Sequence, residues 1–377
     1  VRKHLPILTL FLLLGTSLPR TPRASELILV DVHGRVKMTD KDGQAVTPFT
    51  GRSLDRVSVL QTLDDGYVLF AGKNRFYRVH PLSTVRIGSE PELIEGTLSS
   101  APSLSFAGLR VVEFGPSVQG HTMKLVVETD VQDPSIDAAI LSAKTEKALT
   151  LFPAGENRYR ALTGLDVRAS GERTLTVAMT SPGGEEVHIR RPFLIRKVEW
   201  EEGAVYLPVG KGALFQPSEE KERESVELQN VLSRLSKEAL WQGPFTYPLR
   251  EPEIVSGFGK IRRYYINGKL ASTSSHRGID FRAAAGQNVY APERGVAVFS
   301  GSRITTGVTV VLDHGQGVFT VYFHLSQATV EAGAAVEKGE KIGTVGSTGL
   351  AAGPHLHWGI LVDGVYVDPA DWVKNRY

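Results

Sequence analysis

From Glu26 onward, apolar residues recur at alternate positions in short runs such as "ELILVDVHG", "GYVLFAG", "MKLVVETD", "RTLTVAMT" and "VFTVYFHLS". All but the last of these runs are closed by glycine, proline or an Asp/Asn turn. A period of two commits a chain to β-strands, and 38 glycines supply the turns between them. One segment departs from this pattern. Residues 218–240, "SEEKERESVELQNVLSRLSKEAL", carry Val226, Leu228, Val231, Leu232, Leu235 and Leu240 as an apolar stripe, with Ser218 as cap and Glu219 and Glu220 in the first turn. The expectation is a mainly β protein with one linking helix. That helix either bridges two domains or lies over a site as a regulatory segment.

With 377 residues the chain is too long for one ordinary core. There is no cysteine, which excludes disulfides and a lipid-anchored N-terminal cysteine, so each unit must be held by its own core. The balance of 43 Lys+Arg against 41 Asp+Glu, with no long basic run, gives no reason to expect a nucleic-acid partner.

Residues 1–24 read as a signal peptide: basic Arg2-Lys3-His4, an apolar run from Leu5 to Gly15, then small residues up to Ala24. The run is too short to span a bilayer comfortably. Export to the periplasm, cell envelope or medium is expected, with no stable membrane span after processing. Residues 25–97 form a first small β domain whose order of strands and turns loosely resembles the domains called FecR-like. Residues 98–197 carry strands at sandwich-like spacing, with "SPGGEE" as a hairpin turn, and an immunoglobulin-like sandwich is expected. Residues 198–243 form a linker around the helix. From 244 to 377 the chain is dense in glycine and short strands, and an antiparallel β domain is expected.

Chemistry concentrates in that last segment. In "GPHLHWGI", Leu356, Trp358 and Ile360 alternate with His355, His357 and Gly359. Both imidazoles then share a strand face, about 6.5 Å apart. Such a pair alone is equally a polar surface on a half-exposed sheet. Upstream, "SSHRGIDFRA" places His276 and Asp280 four apart. On a flat strand they would stand about 13 Å apart. They can share a metal only if His276 sits on a loop that folds back, and Gly278 is the residue that would permit it. "VFTVYFHLS" adds His324, with Tyr322 and His324 expected on one face and Phe323 and Leu325 on the other. His314, in "LDHGQG", reads as a turn residue, and His33, His80, His121 and His188 stand singly as structural or surface residues. His276, Asp280, His324, His355 and His357 together suit a catalytic zinc: three ligands, a fourth position for water, and two imidazoles left to move protons.

At this point residues 244–377 closely resemble the lysostaphin/LytM-type zinc metallopeptidases, which cut peptide bonds of bacterial peptidoglycan. The matching stretches are "FGKIRRYYINGKLASTSSHRGIDFRAAAGQNVYAPERGVAV", "VLDHGQGVFTVYFHLS", "VEAGAAVEKGEKIGTVGSTG" and "GPHLHWGILVDGVYVDP". The resemblance implies an antiparallel β-sheet groove with one zinc on its floor. It implies His276, Asp280 and His357 as ligands, and His324 and His355 as the catalytic histidines. The stretch "RRYYINGKLASTSS" is longer than in the most compact members and would wall the groove. Tyr264, Tyr265 and Asn267 in it could steady an oxyanion, although Asn267-Gly268 is also ordinary turn chemistry. Some family members have lost ligands and act as binding modules that activate other wall hydrolases. Here all five positions are filled. A general secreted protease is the third reading. The N-terminal β domains carry no visible chemistry and are open to a targeting, scaffold or inhibitory role, including contacts with envelope partners.

Overall fold

The computed structural model describes residues 27–48, 53–72, 75–88, 90–101, 107–207, 210 and 216–377. The signal peptide expected over residues 1–24 lies outside the described residues. The chain is mainly β, with N-terminal β units and a C-terminal antiparallel sheet.

It forms two compact units. The first comprises the described residues up to Gly108 together with Val131–Ile136 and Thr176–Arg191. In it, strand Ile28–His33 pairs with Tyr67–Ala71, which continues through Phe76–Val79 to Glu92–Ala101, all antiparallel. Alternate residues Val68 and Phe70 enter a core with Leu29, Leu60, Val79 and Val85, as a period of two requires.

The second unit comprises Leu109–Asp130, Asp137–Leu175 and Pro192–Tyr377. The segment expected as one domain over 98–197 therefore contributes residues to both units. Within the second unit, Leu109–Gly115, Thr122–Thr129, Arg158–Gly164 and Phe152–Pro153 form a four-stranded sheet. This sheet is tied to the end of the chain: Asp368 N–H donates to Gly120 O at 2.7 Å and Trp372 Nε1–H to Thr122 Oγ1 at 2.9 Å.

The largest sheet of this unit runs in the order Glu253–Ser256, Ile279–Arg282, His355–Val362, Val318–Ala328, Gly307–Gly315, Gly295–Arg303, Ala335–Val336. Its central strands are buried on both faces. One face packs Phe281, Tyr322, Leu325, Leu356, Trp358 and Ile360 into the main core. The other packs Val311, Phe319, Val321, Phe323 and Leu361. The His355–Val362 strand is thus buried, not the half-exposed strand of the alternative reading, because a second apolar cluster covers the histidine-bearing face.

The helix runs Glu219–Leu232, capped by Ser218, whose side chain accepts from Lys221 N–H. It stops short of the expected residue 240. From Ser236 onward the backbone is satisfied by a neighbouring turn instead of by the helix: Gln316 N–H donates to Ser236 O at 2.7 Å and Leu240 N–H to His314 O at 2.8 Å. The inward stripe is also narrower than expected. Val231 is buried and Leu228 and Leu232 pack on the second cluster, while Val226 and Leu235 are each 50% exposed.

A candidate metal centre in a β-walled groove

Three strands build one wall. Glu202–Leu207 runs parallel to Ile261–Ile266, which is antiparallel to Lys269–Ser275. The hairpin is the "RRYYINGKLASTSS" stretch. Asn267 (φ 50°) and Gly268 (φ 70°) form its two-residue turn, both left-handed as a hairpin of right-handed twist requires. Asn267 is a turn residue. Tyr265 stacks on Tyr206 with centroids 5.4 Å apart, while Tyr264 lines the groove. The groove has a volume of about 800 Å³, and His276, Asp280, His324, His355 and His357 all line it.

Register brings these residues together. In the pairing of Ile279–Arg282 with His355–Val362, Asp280 lies directly opposite His357; on its other side His357 faces Phe323. Phe323 stacks on the His357 ring at 5.0 Å with an interplanar angle of 3°. His276 sits between the hairpin and Ile279, off any strand, and its N–H is held by Lys260 O at 2.8 Å. It does fold back, and Gly278 permits this through space. A Cβ at Gly278 would lie 2.4 Å from Trp358 O and 2.7 Å from His357 Nε2.

Three donor atoms converge here. His276 Nε2 lies 3.0 Å from Asp280 Oδ1 and 3.1 Å from His357 Nδ1, and His357 Nδ1 lies 2.9 Å from Asp280 Oδ1. His276 Nδ1–H donates to Gly257 O at 2.7 Å, so its neutral ring presents a bare lone pair at Nε2. Asp280 Oδ1 is an acceptor. Between them, the three atoms hold at most the one proton of a neutral His357 for three contacts. A divalent cation resolves that excess of lone pairs, and two imidazole nitrogens with one carboxylate oxygen are a zinc donor set. The residues fit a metal ion.

Burial acts on both His357 and Asp280. It pushes His357 down to about 4, against the opposing pull of Asp280. For Asp280, burial raises the carboxyl, but hydrogen bonds and charge from His276 and His357 outweigh it and hold the group well below the usual carboxylate range. Asp280 stays ionised and His357 neutral at neutral pH, the states that ligation needs. The second oxygen of Asp280 pairs with Arg262 Nη2, which also donates to Ser256 Oγ at 2.8 Å.

His324 is placed by a bulge. Val308 pairs with Leu325 but Val310 pairs with Tyr322, so one extra residue is accommodated there. His324 takes φ 62°, a conformation uncommon outside glycine and concentrated at functional sites. The expected alternation fails at this point. Tyr322 and Leu325 both enter the main core, while Phe323 and His324 both face the groove. His324 N–H is held by Thr306 O, and Nδ1–H donates to Thr348 O, each at 2.8 Å. Burial, with His357 and His355 beside it, pushes His324 down to about 3. His355 Nδ1–H donates to Gly353 O at 2.8 Å, and the His324 and His355 rings lie 4.9 Å apart. Each ring thus has Nε2 left for exchange.

Two residues escaped the sequence reading. Arg262 anchors Asp280. Thr348 accepts from His324, and its Oγ1 donates to Leu325 O and accepts from Val308 N–H at 2.7 and 2.9 Å, spanning the bulge. The hints were an arginine in a wall hairpin and a threonine in "GSTG", both unremarkable without the register.

The single residues settle as structural or surface groups. His314 is not the turn residue expected: it lies in the strand Gly307–Gly315 and is fully buried, bonded to Arg294 O at 2.7 Å and Thr320 Oγ1 at 2.8 Å, and the turn itself is Gln316-Gly317. His80 meets Ser99 Oγ at 2.7 Å, and His121 pairs with Asp371.

Residues 274–369 match the model of Peptidase family M23, and this segment is an M23 peptidase domain. An uncharacterized metalloprotease of Haemophilus influenzae is 39% identical over 137 residues, 35% of this chain and 28% of that protein. Peptidoglycan DD-endopeptidase ShyC of Vibrio cholerae is 34% identical over 122 residues, 32% of this chain and 28% of that protein. DD-carboxypeptidase/endopeptidase Mpg of Neisseria meningitidis is 41% identical over 122 residues, 32% of this chain and 27% of that protein. The chain thus matches little more than a quarter of the length of each of these relatives.

Proposed function

We propose that the chain, with its M23 peptidase domain at residues 274–369, is an exported zinc endopeptidase that hydrolyses peptide cross-links or stem peptides of peptidoglycan. The observation that carries this reading is the convergence of His276 Nε2, Asp280 Oδ1 and His357 Nδ1 within 3.1 Å, beside two imidazoles with free Nε2 atoms in the same groove. The D,D-bond is the one we assign, by analogy with the relatives named for it.

His276, Asp280 and His357 would hold one zinc per chain. Bound there, zinc supplies a water acidified towards neutrality and a Lewis acid for the scissile carbonyl. The chain's own residues do the rest. Arg262 holds one carboxylate oxygen of Asp280 so that the other faces the two imidazoles. His324 and His355, each fixed through Nδ1 to a backbone carbonyl, take up a proton at Nε2 during attack and return it to the leaving amine. The hairpin 261–275 and the strand Glu202–Leu207 wall the groove so that an extended peptide can lie along it. The N-terminal β segments we read as targeting or scaffold units that present this groove to the wall. All five positions are filled, so the non-catalytic activator reading has no observation in its favour.

The test is direct. Zinc-loaded protein incubated with purified sacculi should release products whose masses identify a cut D,D-cross-link, and a chelator should stop the release until zinc is returned. Intact sacculi alongside ready cleavage of casein would replace this reading with a general protease.

A further inference from the structure

The same groove contains an arginine that the zinc chemistry does not use. Arg303 ends the strand Gly295–Arg303 and lines the groove together with Thr305, Thr306 and His324. Its side chain is 10% exposed. Nη2 donates to the backbone carbonyl of Glu224 at 2.9 Å, and Nη1 is buried with no hydrogen-bond partner among the described residues. Next to it, the Ile304 N–H meets both carboxylate oxygens of Glu224 at 3.0 Å. Glu224 comes from the helix Glu219–Leu232, outside the M23 segment.

We propose that Arg303 and the Ile304 N–H form a carboxylate-binding subsite, held in this structure by Glu224 and taken during turnover by a free carboxylate of the peptide substrate. The proposal rests on the peptidase reading above and adds the chemistry of one substrate group.

Three observations support it. First, the ion pair with Glu224 is poor. The closest approach of its carboxylate to the guanidinium is 3.9 Å, at Nε, whereas an arginine matched to its carboxylate makes two parallel bonds at about 2.8 Å. A buried Nη1 without a partner is costly, so the fork has capacity that Glu224 leaves unfilled. Second, the helix is lightly seated. Its inward stripe is Glu224, Leu228, Val231 and Leu232, of which only Val231 is buried. A segment held this way can yield to a competing carboxylate, and its tether restores it afterwards. Third, the subsite is coupled to the chemistry by the backbone. Thr306, three residues on, supplies the carbonyl that holds the His324 N–H, and Thr305 O accepts from Leu350 N–H at 2.8 Å. A carboxylate seated at Arg303 would fix the peptide against the loop that positions His324.

The experiment compares a D-alanine-terminated stem tetrapeptide as its free acid and as its C-terminal amide. Binding of each to the zinc-loaded full chain is measured by calorimetry, for wild type, Arg303→Lys, Arg303→Leu and Glu224→Gln. Wild type should bind the acid about tenfold more tightly than the amide, the scale of one charge-assisted fork. Arg303→Leu should erase that preference with amide binding unchanged, and Arg303→Lys should keep only part of it. Glu224→Gln should tighten acid binding several-fold by weakening the internal competitor. Equal binding of acid and amide by wild type, a preference that survives both Arg303 variants, or acid binding that weakens in Glu224→Gln overturns the subsite. Failure of the peptidase reading looks different: sacculi stay intact while the Arg303-dependent preference for the acid persists.

Discussion

His314 and His357 are imidazoles of the same sheet, both buried, and burial pushes both down to about 4. They differ in how their hydrogen bonds close. His314 meets one carbonyl and one hydroxyl, and a single neutral tautomer satisfies both ring nitrogens. His357 Nδ1 meets a carboxylate oxygen and a second imidazole nitrogen that is itself a bare acceptor. No tautomer satisfies that trio. A buried histidine whose partners close around it is part of the core. One whose partners leave lone pairs facing each other has the donor arrangement that a metal ion would complete.

The largest effect should come from the open cluster. His276→Ala, Asp280→Ala and His357→Ala each leave a two-ligand site, and each should lose bound zinc and essentially all hydrolysis of sacculi. Elemental analysis of the purified variants decides this. Wild-type zinc content in all three would erase the distinction between the two histidines.

Next in size are the two imidazoles beside the cluster. His324→Ala and His355→Ala should retain zinc but lose turnover by on the order of 100-fold or more, the scale of general acid–base work. Zinc content and kcat measured on the same preparations separate proton handling from ligation. If His355→Ala loses zinc while His357→Ala keeps it, the two members of the pair have exchanged roles.

How much of this was legible in the sequence follows from the same contrast. The five candidate residues stood out because imidazoles are rare in apolar runs and because the alternation of "HLHW" put both histidines on one face, but the choice of His276, Asp280 and His357 as the ligand set came only from the resemblance. What covers the histidine-bearing face of that strand could not be read, because the cluster comes from Phe319, Val321 and Phe323 of a neighbouring strand and from Leu228 and Leu232 of a distant helix. The bulge at His324 was hidden for a related reason. A period of two assumes an unbroken ladder, and the extra residue is imposed by pairing with Val308 and Val310. Arg262 and Thr348 matter only through partners far along the chain. The helix was legible at its start, where Ser218 and two glutamates act locally, and not at its end, where the end of the strand Gly307–Gly315 and the turn after it claim the backbone of Ser236 and Leu240.

The closed histidine should show the opposite profile to the three residues of the open cluster. His314→Ala removes a ring packed against Phe245 at 4.9 Å and strands Arg294 O, while Thr320 Oγ1 keeps only its contact with Tyr322 Oη. A loss of about 2–4 kcal/mol is expected from the cavity and the unpaired carbonyl together, with zinc content unchanged. Urea midpoints beside metal analysis provide the readout. Loss of zinc at constant stability would mean that His314 serves the site after all.

The smallest effect tests a third way of closing a histidine's bonds, with a charge. His121 Nδ1 pairs with Asp371 and is only partly buried. The hydrogen bond to Asp371, with its charge, raises the imidazole above its ordinary value of 6.5 against the opposing pull of burial. The sign follows from linkage. A group with a raised folded pKa binds its proton more tightly in the folded state, so its contribution is fully present below the unfolded value. It is lost as pH rises through the folded value. The pair joins the turn before strand Thr122–Thr129 to the C-terminal helix Pro369–Lys374, so its loss should loosen that junction and leave the groove intact. Wild type should therefore lose on the order of 1 kcal/mol between pH 6 and the upper end of this titration. His121→Gln should lack this step and match wild type more closely at high pH than at low. Urea midpoints across pH 5.5 to 9 measure it, with zinc-dependent hydrolysis at a fixed pH as the control. A pH step that persists in His121→Gln would assign the titration elsewhere and leave this pair as a neutral contact.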